Sequence, residues 1–138
     1  MGKILVVIGR IFFSTIFIMA GYSHVMSNQL IRYAAAAGVP SPDLMVPLAG
    51  LLAFLGGLSV LLGYKAKWGA WFIVIFLVPV TLVMHSFWGA TDTQVAMMQM
   101  TMFQKNLSML GGALLIAHYG SGPYSLDTYI ASFGKRKS

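Results

Sequence analysis

The sequence predicts an all-α integral membrane protein, folded as a four-helix bundle with a short interfacial helix between spans 1 and 2. The composition predicts the class, because 58% of the 138 residues are hydrophobic and only 9% are charged, against about 25% charged in an ordinary soluble domain. Four apolar runs, each close to the length of about 20 residues that crosses a bilayer as a helix, predict the number of spans. We therefore treat residues 1–138 as one membrane domain.

Four spans are predicted along the chain. They are Ile4–Tyr22, Leu44–Tyr64, Trp68–Trp88 and Met102–Tyr119. The first run is interpreted as a retained span rather than a signal peptide, because Arg10 interrupts it and no small-residue cleavage motif follows. Between spans 1 and 2, the stretch NQLIRYAAAAG predicts a short amphipathic helix on the outer membrane interface, stopped at its last residue, Gly38.

The distribution of basic residues predicts the orientation. Lys3, Lys65, Lys67 and the tail GKRKS lie on one side, whereas the other side has only Arg32 and Lys105. Because positively charged flanks are retained in the cytoplasm, we expect both termini on the cytoplasmic face of the membrane. The net charge of +6 is then explained by topology and contact with anionic lipid, and not by a nucleic-acid partner.

Small residues in the second and fourth spans predict close helix contacts, because helices in lipid associate where their backbones can approach each other. The second span carries Gly50, Ala53, Gly57 and, on a displaced face, Gly56, Ser59 and Gly63; the fourth carries Ser108, Gly111, Gly112 and Ala113. Pro79 is predicted to bend the third span and to leave a backbone carbonyl near its middle without a partner.

Arg10 is a charged residue inside the first span, on the helix face that also carries Ser14 and His24. No acidic residue occupies a predicted span, and Asp127 is the one carboxylate within reach on the same predicted side. Two interpretations stay open. Arg10 and Asp127 form a structural charge pair that ties the C-terminal segment to the bundle, or the Arg10 side chain extends to cytoplasmic water or phosphate.

Polar residues converge at the outer ends of the spans. The candidate ligand-binding residues are His24, His85, Trp88, Met102, Lys105 and Asn106. Two histidines and a lysine at one depth predict a shared pocket, since imidazole and ammonium groups hydrogen-bond a carbonyl or a lipid head group. The alternative for each histidine alone is an interfacial side chain that caps backbone carbonyls.

A cluster of methionines stands beside this polar group. Met98, Met102 and Met109 share one helix face with Lys105, because steps of three and four residues align on a helix. Thioethers suit Cu(I), but a lysine in the same stripe repels a cation. We therefore predict a flexible apolar wall and no metal site. The chain has no cysteine, which excludes thiolate chemistry by its own residues.

Several segments, in order along nearly the whole chain, resemble the DoxX family of small four-span bacterial inner-membrane proteins. They are GRIFFSTIFIMAGYSH, YAAAAGVPSP, LAGLLAFLGGLSVLLGYKAKWGA, MHSFW and FQKNLSMLGGALLIAHYGSGPYSLD. The resemblance implies a four-helix membrane bundle and a link to respiratory quinone chemistry or oxidative-stress complexes. It marks as family positions Arg10, Gly21, Gly38, Pro40, Gly57, His85, Lys105, Asn106 and Asp127. The chain departs from the expected pattern at Ala53, where an acidic residue is expected, and at His24, where lysine is expected.

These observations favour a quinone- or lipid-binding accessory subunit of a redox or oxidative-stress membrane complex. The expected cofactor is a quinone or a bound lipid, and the expected partners are membrane lipid and other protein chains or a second copy. No catalytic residue is assigned, because the sequence offers no nucleophile elbow, nucleotide loop or acidic pair. A small transporter and a non-catalytic membrane scaffold are the alternatives.

Overall fold

The computed structural model of the chain describes residues 2–134, and its regular structure there is entirely helical. The helices are α1 (Gly2–Met26), α2 (Asn28–Ala36), α3 (Pro42–Leu62), α4 (Ala66–Pro79), a π-helical turn (Val80–Met84), a 3-10 turn (Phe87–Gly89), α5 (Thr93–Tyr119) and α6 (Leu126–Gly134). The predicted helical membrane bundle is confirmed. The basic tail residues Lys135, Arg136 and Lys137, used above to predict orientation, lie outside the described residues.

Three helical segments are long and apolar enough to cross a membrane. They are Gly2–Met26, Pro42–Leu62 and Ala66–Gly89, and they contain or closely match the first three predicted spans. The fourth predicted span lies within α5, whose 27 residues reach about 40 Å at about 1.5 Å per residue. Gln104, Lys105 and Asn106 make α5 less apolar than the other three, and its crossing of the membrane stays a prediction.

The four long helices pack in the order α1, α3, α4, α5. Their shared core contains Phe17, Val60, Ile73, Leu77 and Ala113. The ring is closed between α5 and α1, where a Cβ added at Gly112 would lie 2.9 Å from the Phe13 ring. Leucine, isoleucine and phenylalanine side chains remain exposed around the outside of the bundle, as expected of a surface that faces lipid.

Helix α3 lies between α1 and α4 and meets each through glycine. A Cβ at Gly50 would lie 2.9 Å from the Gly21 carbonyl oxygen on α1, and a Cβ at Gly56 would lie 2.7 Å from the Gly69 carbonyl oxygen on α4. Side chains larger than hydrogen would force the backbones apart at both contacts. The predicted contact faces of the second span are therefore confirmed.

The predicted contact face of the last long helix is only partly correct. Gly112 and Ala113 face the bundle, but a Cβ at Gly111 would meet nothing within 4 Å, and Ser108 is exposed. Successive residues on an α-helix are turned by about 100° from one another, so neighbouring small residues cannot all face one partner.

Pro79, where the sequence predicted a bend, ends the α-helical part of the third apolar segment. The chain continues from it as the π-helical turn Val80–Met84. Proline has no backbone N–H, so one carbonyl of the preceding turn loses its α-helical partner. The wider turn that follows is a common way to accommodate such a break, and turns of this kind occur frequently at functional sites.

The predicted short helix between spans 1 and 2 is α2, which packs against α3. The helix ends at Ala36, and Gly38, two residues later, turns the chain away as predicted, because it has a left-handed backbone (φ +81°). The N–H groups of Gly38 and Val39 donate to the carbonyl oxygens of Ala35 and Ala34, each at 3.0 Å. This pair of bonds satisfies carbonyls that the helix end would otherwise leave free, and it returns the chain sharply into α3.

Candidate functional site

A cavity of about 500 Å³ lies between α2, the start of α3 and the end of α4. Its walls are almost entirely apolar. Representative lining residues are Leu30, Val46, Ala49, Leu52, Phe76 and Val83. Pro79 and Val80 also line it, so the break in the third apolar segment borders the cavity directly. We call this part of the molecule the cavity end.

His24, near the end of α1, brings an imidazole into the cavity wall. Its Nδ1 lies 2.7 Å from the Ala20 carbonyl oxygen one turn earlier, and its ring packs edge-on against Phe76 with centroids 5.6 Å apart. The side chain is half-buried. The close approach of α1 to α3 positions it, since a Cβ at Gly50 would lie 2.6 Å from the His24 Cβ.

His85 does not line the cavity but is connected to a residue that does. Its Nδ1 lies 2.8 Å from Oε1 of Gln99 on α5, and Nε2 of Gln99 donates to the Tyr33 hydroxyl at 3.2 Å. Tyr33 belongs to α2 and lines the cavity. This hydrogen-bonded chain of His85, Gln99 and Tyr33 links α2 to α5 and to the end of the third apolar segment.

Sequence analysis expected Met102, Lys105 and Asn106 at the outer start of the last span, but α5 begins at Thr93, so they lie near its middle and outside the cavity. Lys105 is exposed, and its Nζ lies 3.3 Å from the Met102 sulfur on the same helix. Asn106 is buried. Neither they nor Met102 are among the cavity-lining residues. The structure therefore does not bring Lys105 and His24 together in this cavity, because the cavity opens on the α2–α3 side of α4.

Trp88 takes part in an aromatic cluster instead of the cavity. Its ring packs edge-on against Phe87 at 5.3 Å and Phe103 at 6.0 Å between centroids. The indole is 62% exposed, which suits an amphipathic ring at the membrane boundary. The contact between Phe87 and Phe103 fixes the 3-10 turn on α5.

Sequence reasoning missed Tyr33 and Gln99. A signal for Tyr33 was present, because Leu30, Tyr33 and Ala34 follow the spacing of three and four residues that places side chains on one helix face. All three line the cavity. Gln99 had no comparable signal, since its role depends on where α5 begins relative to α2.

Arg10 lies near the opposite end of the bundle and is only 6% exposed. Its Nη2 donates to the Tyr124 carbonyl oxygen at 2.6 Å, while its Nε and Nη1 have no hydrogen-bond partner among residues 2–134. The guanidinium thus holds the segment between α5 and α6 against α1. We call this region the Arg10 end.

Asp127 belongs to the same region but has other partners. Its carboxylate accepts from the backbone N–H groups of Lys65 (2.8 Å) and Ala66 (3.4 Å) and from the Ser121 hydroxyl (3.2 Å). Its own N–H donates to the Gly63 carbonyl oxygen at 2.9 Å. Asp127 therefore caps the start of α4 from a distant part of the chain, where a negative charge is favoured.

Arg10 and Asp127 lie in the same region, but within residues 2–134 their side chains do not hydrogen-bond each other. The one described hydrogen bond of the guanidinium goes to the Tyr124 carbonyl, and the carboxylate bonds the α3–α4 turn. The C-terminal segment is tied to the bundle, as the hypothesis required, but through backbone groups. Within residues 2–134, no three His, Cys, Asp or Glu side chains are close enough to hold a metal ion together.

Comparison with known proteins gives matches along most of the chain. The DoxX family model matches residues 5–86 and the SURF4 family model matches residues 48–133. The chain is 35% identical over 123 residues to inner membrane protein YqjF of Escherichia coli, covering 88% of each chain. It is 30% identical over 125 residues to inner membrane protein YphA of the same organism, covering 90% of this chain and 89% of that protein.

A more distant match is the ER-derived vesicles protein ERV29 of Saccharomyces cerevisiae. It is 27% identical over 77 residues, which are 56% of this chain and 24% of the yeast protein. No solved structure matches the chain. The cavity is therefore interpreted from its own geometry.

Proposed function

The chain belongs to the DoxX family, and from that premise we propose that it binds a membrane-soluble ligand in the cavity bordered by α2, α3 and α4. It is a multi-pass membrane protein. The proposed ligand is a quinone or a lipid. The proposed setting is an accessory subunit of a redox or oxidative-stress complex in a bacterial inner membrane.

The observation that carries the proposal is the cavity itself. Its volume of about 500 Å³ falls within the range of about 300–1,000 Å³ typical of small-molecule sites. Its walls are aliphatic side chains and one phenylalanine, with His24 and Tyr33 as the side chains that carry polar groups. An apolar ring or tail would fill the space, and one end of the ligand would reach the two polar side chains.

The lining supports binding rather than catalysis by this chain alone. His24 already uses Nδ1 on a backbone carbonyl, and Tyr33 already accepts a hydrogen bond from Gln99. Neither is paired with a nucleophile in the described contacts. A subunit that holds a ligand for a partner protein needs no more than this arrangement.

The test is purification of the full chain in a mild detergent, followed by native mass spectrometry of bound lipid and quinone. Ala49 lines the cavity, so Ala49→Leu is expected to remove most of the bound ligand by occupying its space. Ala131→Leu is the control, because Ala131 is exposed on α6. Equal ligand content in both variants and the parent protein would reject the cavity as the site.

A small transporter is the second candidate, favoured by one observation. Pro79 and the π-helical turn both border the cavity, and interrupted helices line the substrate sites of many transporters. Flux of a ligand identified by mass spectrometry across proteoliposomes, lost in Ala49→Leu, would favour transport. Binding without flux favours the accessory subunit.

The proposed orientation places both termini in the cytoplasm. It is supported by Lys3, Lys65 and Lys67, which lie at the end of the bundle where α1 and α4 begin. The chain has no cysteine, so single cysteines can be labelled without background. Asn28→Cys and Asp92→Cys are expected to react with an impermeant maleimide from outside the inner membrane, and Lys67→Cys is not. The reverse labelling pattern would show that the chain has the opposite orientation.

A further inference from the structure

Resting on the proposed function, we infer that the cavity selects a ligand that carries both a free hydroxyl group and an acceptor oxygen, and disfavours one that offers carbonyl oxygens alone. The position of the ring hydrogen on His24 follows from its hydrogen bond. Nδ1 lies 2.7 Å from the Ala20 carbonyl oxygen, and a carbonyl oxygen can only accept. Nδ1 therefore carries a hydrogen and donates it.

The other ring nitrogen of His24, Nε2, faces a different requirement. A neutral imidazole with a hydrogen on Nδ1 has a lone pair on Nε2, so Nε2 is an acceptor. It is the ring nitrogen left for a cavity ligand. No aspartate or glutamate is among the residues that line the cavity, and the inference is made for the neutral ring.

Tyr33 contributes a hydrogen-bond donor to the cavity wall. His85 Nδ1 donates to Gln99 Oε1, which leaves the Gln99 amide nitrogen to donate to the Tyr33 hydroxyl oxygen. The phenol hydrogen is then free to donate to a ligand oxygen. The cavity wall thus offers one acceptor, on His24, and one donor, on Tyr33.

The ligand that complements this wall has a hydroxyl hydrogen for His24 and an acceptor oxygen for Tyr33. Two kinds of membrane molecule carry that group. A diacylglycerol has a hydroxyl beside an ester, and a ubiquinol has a hydroxyl beside a methoxy group. An oxidised quinone has acceptor oxygens only, so it can satisfy Tyr33 but not His24.

The experiment compares matched probes on the purified full chain in detergent. One pair is dioctanoylglycerol and its O-methyl ether; the other is decylubiquinol, kept reduced with dithionite, and decylubiquinone. The hydroxyl member of a pair is expected to bind about fivefold more tightly, the factor that one net hydrogen bond contributes. The pair with the higher affinity identifies the source of the ligand.

His24→Phe removes Nε2 and keeps a ring against Phe76. In this variant the two members of each pair are expected to bind equally, with the ether and the quinone little changed from the parent. His118→Phe is the matched control, because His118 is exposed near the Arg10 end; it is expected to keep the fivefold preference.

A measurement on the parent protein avoids dependence on the folding of a variant. ¹⁵N NMR of the histidine rings is expected to show the hydrogen of His24 on Nδ1. A hydrogen on Nε2, or tighter binding of the ether and the quinone, would overturn the inference. Equal binding of all four probes would overturn it while leaving the cavity as a binding site. Binding of none would overturn the proposed function as well.

Discussion

At the Arg10 end, polar groups join segments that are far apart in the sequence, whereas at the cavity end they border an apolar cavity. Asp127 and Arg10 bond backbone groups of Lys65, Ala66 and Tyr124, between 61 and 114 residues away along the chain. His24 bonds the carbonyl one turn before it and leaves its second nitrogen for other use. Polar side chains therefore stabilise one end of the bundle and are available for binding at the other.

A bundle with few charges uses its polar groups in two ways. Backbone groups at helix ends need hydrogen-bond partners. The α3–α4 turn and the segment after α5 find them in Asp127 and Arg10. At the cavity end, α2 is closed by the backbone N–H groups of Gly38 and Val39, without a side chain.

The largest expected effect compares two glycines with left-handed backbones, Gly63 at the Arg10 end and Gly38 at the cavity end. A Cβ at Gly63 would overlap Arg10 Nη1 and Ser125, while a Cβ at Gly38 would meet nothing within 4 Å. Both alanine variants are expected to lose about 1–2 kcal/mol of unfolding free energy, because a residue with a Cβ is strained in a left-handed backbone. Gly63→Ala is expected to lose about 1–3 kcal/mol more from overpacking.

Unfolding of both variants in the same detergent measures this difference. Gly111→Ala is the control, because Gly111 is helical and open to space, and it is expected to leave stability unchanged or slightly raised. If Gly38→Ala cost as much as Gly63→Ala, the Arg10 end would not be the more tightly packed region.

The next effect compares two capping aspartates. Asp127 accepts three described hydrogen bonds from other segments, and Asp92 accepts one, from the Val95 N–H of its own helix. Asp127→Ala is expected to cost about 2–3 kcal/mol in unfolding free energy, since it leaves backbone donors unpaired. Asp92→Ala is expected to cost about 1 kcal/mol, as for an ordinary helix cap.

Asp127→Asn separates hydrogen bonding from charge in the same assay. Asparagine keeps an acceptor oxygen for the α3–α4 turn but removes the negative charge near Arg10. A smaller loss than that of Asp127→Ala is expected if capping is the main role. An equal loss would assign the stabilisation to the attraction between Asp127 and Arg10.

The third comparison uses two alanines one turn apart on α3. Ala53 is 0% exposed in the core, and Ala49 borders the cavity. Ala53→Leu is expected to destabilise the protein by about 1–3 kcal/mol through overpacking. Ala49→Leu should leave thermal stability nearly unchanged, because its side chain enters free volume. A large loss in Ala49→Leu would mean that the cavity is not available space.

The smallest expected effect concerns α2. Tyr33→Phe removes the hydroxyl that Gln99 contacts, a neutral hydrogen bond worth about 1 kcal/mol at most at this exposed position. Faster hydrogen exchange is expected in residues 28–36, with little change in global stability. Tyr22→Phe, at an exposed position near the end of α1, serves as the control. Unchanged hydrogen exchange in α2 would show that the hydrogen bond from Gln99 does not stabilise this helix.

The sequence is sufficient to predict the membrane class, the helices, an irregularity at Pro79, the stop at Gly38 and the glycine faces of α3. These depend on hydropathy, periodicity and backbone freedom, which act over a few neighbouring residues. It also indicated that His24 faces inward and that Asp127 ties down the C-terminal segment.

Only the tertiary structure decided which groups meet. It brought the Asp127 carboxylate to the α3–α4 turn, gave Arg10 a backbone carbonyl and located the cavity beside α2 instead of beside Lys105. The physical reason is that a hydrogen bond depends on ångström-scale distances between atoms many residues apart. Those distances are set by how closely the glycine faces let the helices approach, which no local pattern specifies.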